Sequence, residues 1–192
     1  MQYPRRLHQV MQEEPQTKGA ESLTRYKLYW QQIYFFEPVY LENGCNGCRV
    51  YYDNGAVEEI QARLEWVLDD WASYFATSRA LLQKQAAEWA GGTRRRLPMI
   101  LQHDFCLIPV KCRKPRTESD NASGYVVLQK IRQVEGLPDE SWSKIKFCSN
   151  HYAVEVRERR RSIDENHALG WMMVNDYTNG HFFKHAANVE NS

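Results

Sequence analysis

The sequence predicts an α+β fold: one β-rich single domain of antiparallel strands and hairpins with two principal helices, at about residues 70–90 and 163–175. Three observations carry that expectation. Between Trp71 and Trp89 the large side chains recur in threes and fours, at Trp71, Tyr74, Phe75, Leu81, Leu82, Ala86 and Trp89, with Ser78 as the one gap. A period of 3.6 residues puts these on one helical face, and no strand alternation competes with it. Short β-prone runs separated by turn residues fill most of the remaining chain. Ser162-Ile163-Asp164-Glu165 has the spacing of a capping box, and it precedes a second periodic run through Leu169, Trp171, Met172, Met173 and Val174.

Taken in order, residues 1–22 are rich in Gln, Glu, Pro and Lys without periodicity, and read as a flexible arm ahead of a domain spanning 23–180. Residues 181–192 read as a tail. Tyr26, Leu28 and Trp30 alternate with polar neighbours and Ile33-Tyr34-Phe35-Phe36 precedes Pro38, so a first strand or two is expected here. Glu42 to Cys48 is turn-rich and Arg49-Val50-Tyr51-Tyr52 is strand-like. Asp53-Asn54-Gly55 is a hairpin turn, because Asn-Gly accepts positive φ, and Ala56 to Ile60 forms the returning strand. For the central helix, Asp69 and Asp70 are the expected N-cap and Gly91-Gly92 the stop. Pro98 forbids helical continuation, so Met99-Ile100-Leu101 and Phe105 to Val110 read as buried strands around a Gln102-His103-Asp104 turn. Lys111 to Ser123 is a polar, basic loop, Tyr125 to Leu128 opens another strand, and Gly136-Leu137-Pro138-Asp139 breaks the chain. Lys144 to Phe147 and Tyr152 to Val156 alternate on either side of Ser149-Asn150-His151, the pattern of a half-exposed hairpin.

An apolar content of 43%, with 6 Trp, 11 Tyr and 7 Phe among 192 residues, excludes a disordered chain. No apolar run is long enough to span a bilayer and the first residues lack a secretory h-region, so a cytoplasmic, nucleoid-associated location is expected. Five cysteines in such a chain fit reduced thiols better than a disulfide framework. The net charge of +1 conceals an asymmetry. Residues 1–78 hold seven Lys/Arg against eleven Asp/Glu. Residues 79–116 hold Arg79, Lys84, Arg94, Arg95, Arg96, Lys111, Arg113, Lys114 and Arg116 against Glu88 and Asp104, a net of +7. Such a block marks either a polyanion partner or a solvated face that the fold balances with acids.

The order of several short blocks resembles the family of the competence transcription factor ComK. Tyr74-Phe75-Ala76-Thr77-Ser78 is similar to that family's FF-G-S-S-Y segment, Arg96-Leu97-Pro98-Met99-Ile100-Leu101 to its Lys-Pro-Ile strand, and Phe105-Cys106-Leu107-Ile108-Pro109-Val110 to its F-L-F-P-T strand. Gly124-Tyr125-Val126 is similar to its Gly-Trp-Ile step, Lys144 to Asn150 to its V-T-F-S-N-G hairpin, and Ser162 to Met173 to its closing helix. The likeness covers roughly residues 23–178. It implies a sequence-selective DNA-binding activator of DNA-uptake genes, reading paired A/T-rich boxes of double-stranded DNA largely through the minor groove as a homo-oligomer. Two blocks depart from it. Leu81-Leu82-Gln83-Lys84 stands where the family has Gly-Arg-Lys, and His181-Phe182-Phe183-Lys184-His185 does not match the F-M-L-Y-P-type segment that a proteolytic adaptor recognises, so adaptor control is not implied.

The candidate DNA-binding residues are the nine of the basic block together with Arg159, Arg160 and Arg161, a triplet at the start of the second helix, where backbone N–H groups also attract anions. Arg and Lys suit a narrow A/T minor groove, whose potential is the more negative. The competing reading of each triplet is a solvated cap. Trp71, Tyr74 and Trp89 at helical spacing with Leu81 and Leu82 read as core rather than as base-stacking platforms. Cys45-Asn46-Gly47-Cys48 has a C-x2-C spacing and His181 and His185 lie four apart, which leaves a zinc-dependent regulator or enzyme as a third reading. Without a second C-x2-C pair the expectation is no metal and no cofactor; Cys106, Cys112 and Cys148 read as small buried hydrophobes. No G-x-S-x-G, phosphate-binding glycine loop or H-E-x-x-H occurs, and no enzyme is expected. The rival from another class is a non-enzymatic protein-interaction module whose basic loop meets an acidic partner.

Overall fold

A computed structural model describes residues 24–92, 96–118, 120–148 and 152–180. The chain opens with α1 (Arg25–Leu28) and a 3-10 turn (Trp30–Gln32), followed by strands β1 (Ile33–Tyr40), β2 (Asn46–Tyr52) and β3 (Val57–Ile60). Helices α2 (Leu64–Tyr74) and α3 (Arg79–Trp89) lead into β4 (Met99–Gln102), β5 (Phe105–Lys111) and β6 (Ser123–Val127). A second 3-10 turn (Leu128–Lys130) precedes β7 (Ile131–Gly136), β8 (Ser143–Phe147), β9 (Ala153–Val156) and α4 (Arg160–Thr178). The fold is α+β, with two antiparallel sheets: six strands in the order β3-β2-β1-β6-β5-β4, and three in the order β7-β8-β9.

Strand alternation on the large sheet sorts its side chains into two cores. Phe36 of β1, Cys48, Val50 and Tyr52 of β2, Phe105 and Leu107 of β5 and Val127 of β6 face α2, where they meet Leu64, Val67, Leu68 and Trp71. The intervening Phe35, Cys106, Ile108, Val110 and Val126 face the other way, against Ile145 and Phe147 of β8, Val156 of β9 and Ile163 and Met173 of α4. The large sheet is therefore a middle layer covered on both faces. Strands buried on both sides read as continuous apolar runs, which is why IYFF and FCLIPV carry no polar alternation. Prolines are tolerated in these inner strands because, although each is paired on one side (Pro38 with Cys48, Pro109 with Tyr125), the ladder on the other side stops short of it. The β1–β6 ladder pairs Phe35 and Phe36, before Pro38; the β4–β5 ladder ends at Leu107, and the carbonyl of Pro109 instead accepts from Asn166 Nδ2 at 3.3 Å.

The single helix expected at 70–90 is two helices. Ala76, with φ of 54°, breaks the run, and Ser78, the gap in the apolar series, is the N-cap of α3, its hydroxyl accepting from the Leu81 N–H at 3.2 Å. The break lets the chain turn from the face of the sheet to its edge: α2 feeds the first core, whereas α3 lies along β4 and sends Leu82 to the first core and Ala86 to the second. Asp69 and Asp70 consequently sit inside α2 and cap nothing. Asp70 accepts from the Tyr26 hydroxyl and from Lys27 Nζ, and Asp69 pairs with Arg79 at 3.2 Å. Tyr74 and Leu81, expected in the core, are each 45% exposed, because the corner rotates them off the buried face. Trp71 is buried as expected.

Three further expectations are corrected. The segment around Tyr26 is helical rather than extended, since Tyr26 is drawn into the α2 core and Lys27 onto Asp70. α4 starts at Arg160, two residues ahead of the supposed capping box, and Asp164 and Glu165 serve as i,i+4 partners of Arg160 and Arg161 instead of caps. Of the three cysteines read as buried, Cys106 is enclosed, Cys112 is half-buried and Cys148 lies exposed at the end of β8. The hairpins at Asp53-Asn54-Gly55 and His103-Asp104 form as expected, with Gly55 at φ of 82°. The expected arm at 1–22 and tail at 181–192 lie outside the described residues.

Candidate nucleic-acid interface

Glu158 lies between β9 and α4 and is only 6% exposed. A carboxylate taken out of water must be paired and hydrogen-bonded to be tolerable. Here Oε1 accepts from Arg96 Nη2 at 2.7 Å and Oε2 from the backbone N–H of Lys111, also at 2.7 Å. Its carbonyl accepts from the Ser143 hydroxyl at 2.6 Å, which fixes the residue to β8. One side chain thus joins the chain at Arg96, the start of the loop carrying Lys111, Arg113, Lys114 and Arg116, and the segment leading to Arg159, Arg160 and Arg161. These stretches are far apart in sequence and meet at one end of the fold.

The basic loop is held from below by a second carboxylate. Asp120 accepts from the Tyr40 hydroxyl at 2.6 Å, from Asn46 Nδ2 at 2.9 Å and from the N–H groups of Arg116 and Thr117 at 3.1 Å each. The Tyr40 and Asn46 bonds push its carboxyl well below the usual range, with the Thr117 bonds adding to them. The guanidinium groups of Arg113 and Arg116 each stand 3.9 Å from the centre of the Tyr40 ring, a cation–π arrangement. Arg113 also donates to the Asn121 carbonyl at 2.8 Å and to Asn46 Oδ1 at 2.6 Å. Arg113 is therefore part of the loop's scaffold.

Beside the loop a cleft of about 530 Å³ opens between α2, α3 and the ends of β5 and β6, lined by Arg79, Gln83, Arg96, Asn121, Ser123 and Tyr125 among others. Glu65 and Asp120 border it as well, so it is polar and of mixed charge. Burial raises the Tyr125 phenol; Arg79, Gln83 and Arg96 oppose the shift and Glu65 adds to it.

The twelve candidate residues divide by what they touch. Arg79 and Arg96 line the cleft with one edge tied to Asp69 and Glu158 respectively. Arg113 and Arg116 are stacked on Tyr40. Lys84 pairs with Glu88, and Arg160 and Arg161 with Asp164 and Glu165, all at i,i+4 on helix surfaces, where such pairs contribute only a few tenths of a kcal/mol (about 0.3–0.5) and open readily. Lys111, Lys114 and Arg159 are exposed and have no carboxylate partner among the described residues. Arg94 and Arg95 lie outside the described residues. Sequence reasoning missed Tyr40, Asn46, Asp120 and Glu158, the side chains that position the basic ones. No local pattern marks them, because each acts across a contact of at least 47 residues in the chain.

The C-x2-C pair does not converge on one point. Cys45 is exposed in the β1–β2 turn, while Cys48 is fully enclosed in the first core, where burial pushes its thiol far up. No group of three or more potential metal ligands assembles among the described residues, and His181 and His185 fall outside them. No helix among the described residues is long and apolar enough to cross a membrane. Comparison with known protein families, with curated proteins and with solved structures finds no match.

Proposed function

We propose that the chain is a sequence-selective activator of the ComK type that binds A/T-rich double-stranded DNA, largely through the minor groove, with more than one subunit on each site. The observation that carries the reading is the convergence at Glu158 of three basic segments that the sequence keeps apart. A polyanion is held by many cations on one surface, each neutralised phosphate releasing counterions. Lys111, Lys114 and Arg159 supply charge that no carboxylate among the described residues matches. Arg79 and Arg96 line the cleft and have N–H groups beyond those that their ion pairs use. The Tyr40–Asp120 node fixes the loop between them, so little ordering remains to be done on binding.

The test is fluorescence anisotropy on A/T-rich and G/C-rich duplexes with salt varied. The intact chain is expected to favour the A/T duplex and to lose affinity steeply with salt. Replacing Lys111, Lys114 and Arg159 together with Gln should lower the slope of log K against log salt by up to about 3, roughly 0.9 per lost phosphate contact, with the melting curve unchanged. Absence of binding to either duplex by a folded chain overturns the reading and favours the protein-interaction module.

A further inference from the structure

The three-stranded sheet ends at β7, and among the described residues no strand pairs with its outer edge. An edge strand turns a row of N–H and C=O groups outward, a template that another extended chain can complete. α4 runs beside this edge without sealing it. At Gly136 an added Cβ would lie 3.9 Å from the Cβ of Arg160. Beyond that point Ile131–Gly136 on one side and Arg160, Asp164 and His167 on the other bound a cleft of about 560 Å³. The three helix positions are spaced by four and three, so they share one face, and Trp171, 46% exposed with its Nε1 donating to His167 Nε2 at 3.3 Å, follows one turn later.

We infer that this strand–helix groove docks an extended acidic peptide, which adds to β7 as a fourth strand and lays its side chains against α4. The backbone edge demands a strand, and the charges select its sign. Both acids of the groove are already matched, Glu135 by Lys146 and Asp164 by Arg160. Arg132 is exposed and has no carboxylate partner among the described residues. Among the described residues one uncompensated cation therefore remains in the groove, and Arg160 can exchange its exposed intrahelical acid for one on the ligand. Main-chain hydrogen bonds would supply affinity and alternate side chains specificity, as in other additions to a sheet edge. The groove shares Arg160 with the candidate DNA-binding residues, but the inference rests on the β7 edge and Arg132 and stands whether or not the DNA reading holds.

The probe is a fluorescein-labelled decapeptide of alternating Glu and Val, with three controls: a Lys/Val counterpart and two Glu/Val versions N-methylated at odd or at even residues. The intact chain should bind the Glu/Val peptide at least tenfold more tightly than the Lys/Val peptide. One of the two N-methylated versions, the one whose blocked N–H groups face β7, should lose binding at least tenfold. Arg132→Glu should weaken the Glu/Val peptide by a similar factor with the melting curve unchanged. No binding of the Glu/Val peptide, equal binding of the acidic and basic peptides, or full binding of both N-methylated forms overturns the inference. So does concentration-dependent dimerisation abolished by Arg132→Glu, which would assign the groove to a second copy of the chain. Loss of duplex binding in the same variant would assign it to DNA instead.

Discussion

Asp120 receives hydrogen bonds from Tyr40, Asn46 and two backbone N–H groups, all of which favour its charged form. Its folded carboxyl consequently titrates below the unfolded value of about 3.9. A depressed acid stabilises the fold above the unfolded value, and that contribution is lost as pH falls through the folded one. Asp120→Asn should therefore be less stable than the wild type at pH 7, and the gap should close progressively below about pH 4. Urea titrations at stepped pH measure this, and a gap independent of pH would remove the charge from the account. Gly124 makes a steric demand of a different kind. A Cβ there would fall 2.5 Å from the Phe36 carbonyl oxygen and 2.6 Å from Cys112 Sγ, between a strand and the buried root of the basic loop. Gly124→Ala is expected to cost about 1–3 kcal/mol, as overpacking does, and to lower the melting temperature.

At the scale of elements, the corner between α2 and α3 is the feature to test. Ser78 caps α3 with its hydroxyl, so Ser78→Ala should cost about 1 kcal/mol. Asp69→Asn should cost about 0.5 kcal/mol or less, because Asp69 only forms a half-exposed ion pair with Arg79. The opposite ranking in chemical denaturation would restore a continuous helix capped at its start. Ala76 occupies the left-handed region, where a Cβ is disfavoured by about 1–2 kcal/mol. Ala76→Gly should recover roughly half of that, about 0.5–1 kcal/mol, even though glycine would weaken an uninterrupted helix by a similar amount.

The molecule as a whole is joined by long-range polar contacts as well as by its two cores. Lys130 on the small-sheet side pairs with Asp53 in the β2–β3 turn, Trp89 of α3 donates to Asp176 of α4, and Glu158 unites three basic segments. Glu158→Ala would strand the Lys111 N–H and release Arg96, at an expected cost of about 2–3 kcal/mol. If the DNA reading is right, it should also weaken duplex binding beyond what the stability loss accounts for, since the basic segments would no longer be held in one arrangement. Anisotropy measured well below the melting temperature separates the two effects.

What the sequence determined by itself was local. Asn54-Gly55 specifies a hairpin because few residues accept positive φ, the alternation of Lys144 to Phe147 specifies a strand with one buried face, and the 3.6-residue period around Trp71 specifies helix. Together these fix the α+β class, and the basic block at 79–116 was countable without any fold. Only the tertiary structure decided where the helix breaks, since Ser78 is a gap in a periodic series until the chain has a sheet edge to turn around. It also decided, among the described residues, which arginines are committed to carboxylates and which cations have no such partner. Arg113 and Lys114 are neighbours of the same charge in the sequence, yet one is locked between Tyr40, Asn46 and Asn121 and the other faces water. The reason is that periodicity and turn chemistry act over a few residues, whereas a buried acid such as Glu158 finds its partners 47 and 62 residues away, through packing that no local pattern encodes.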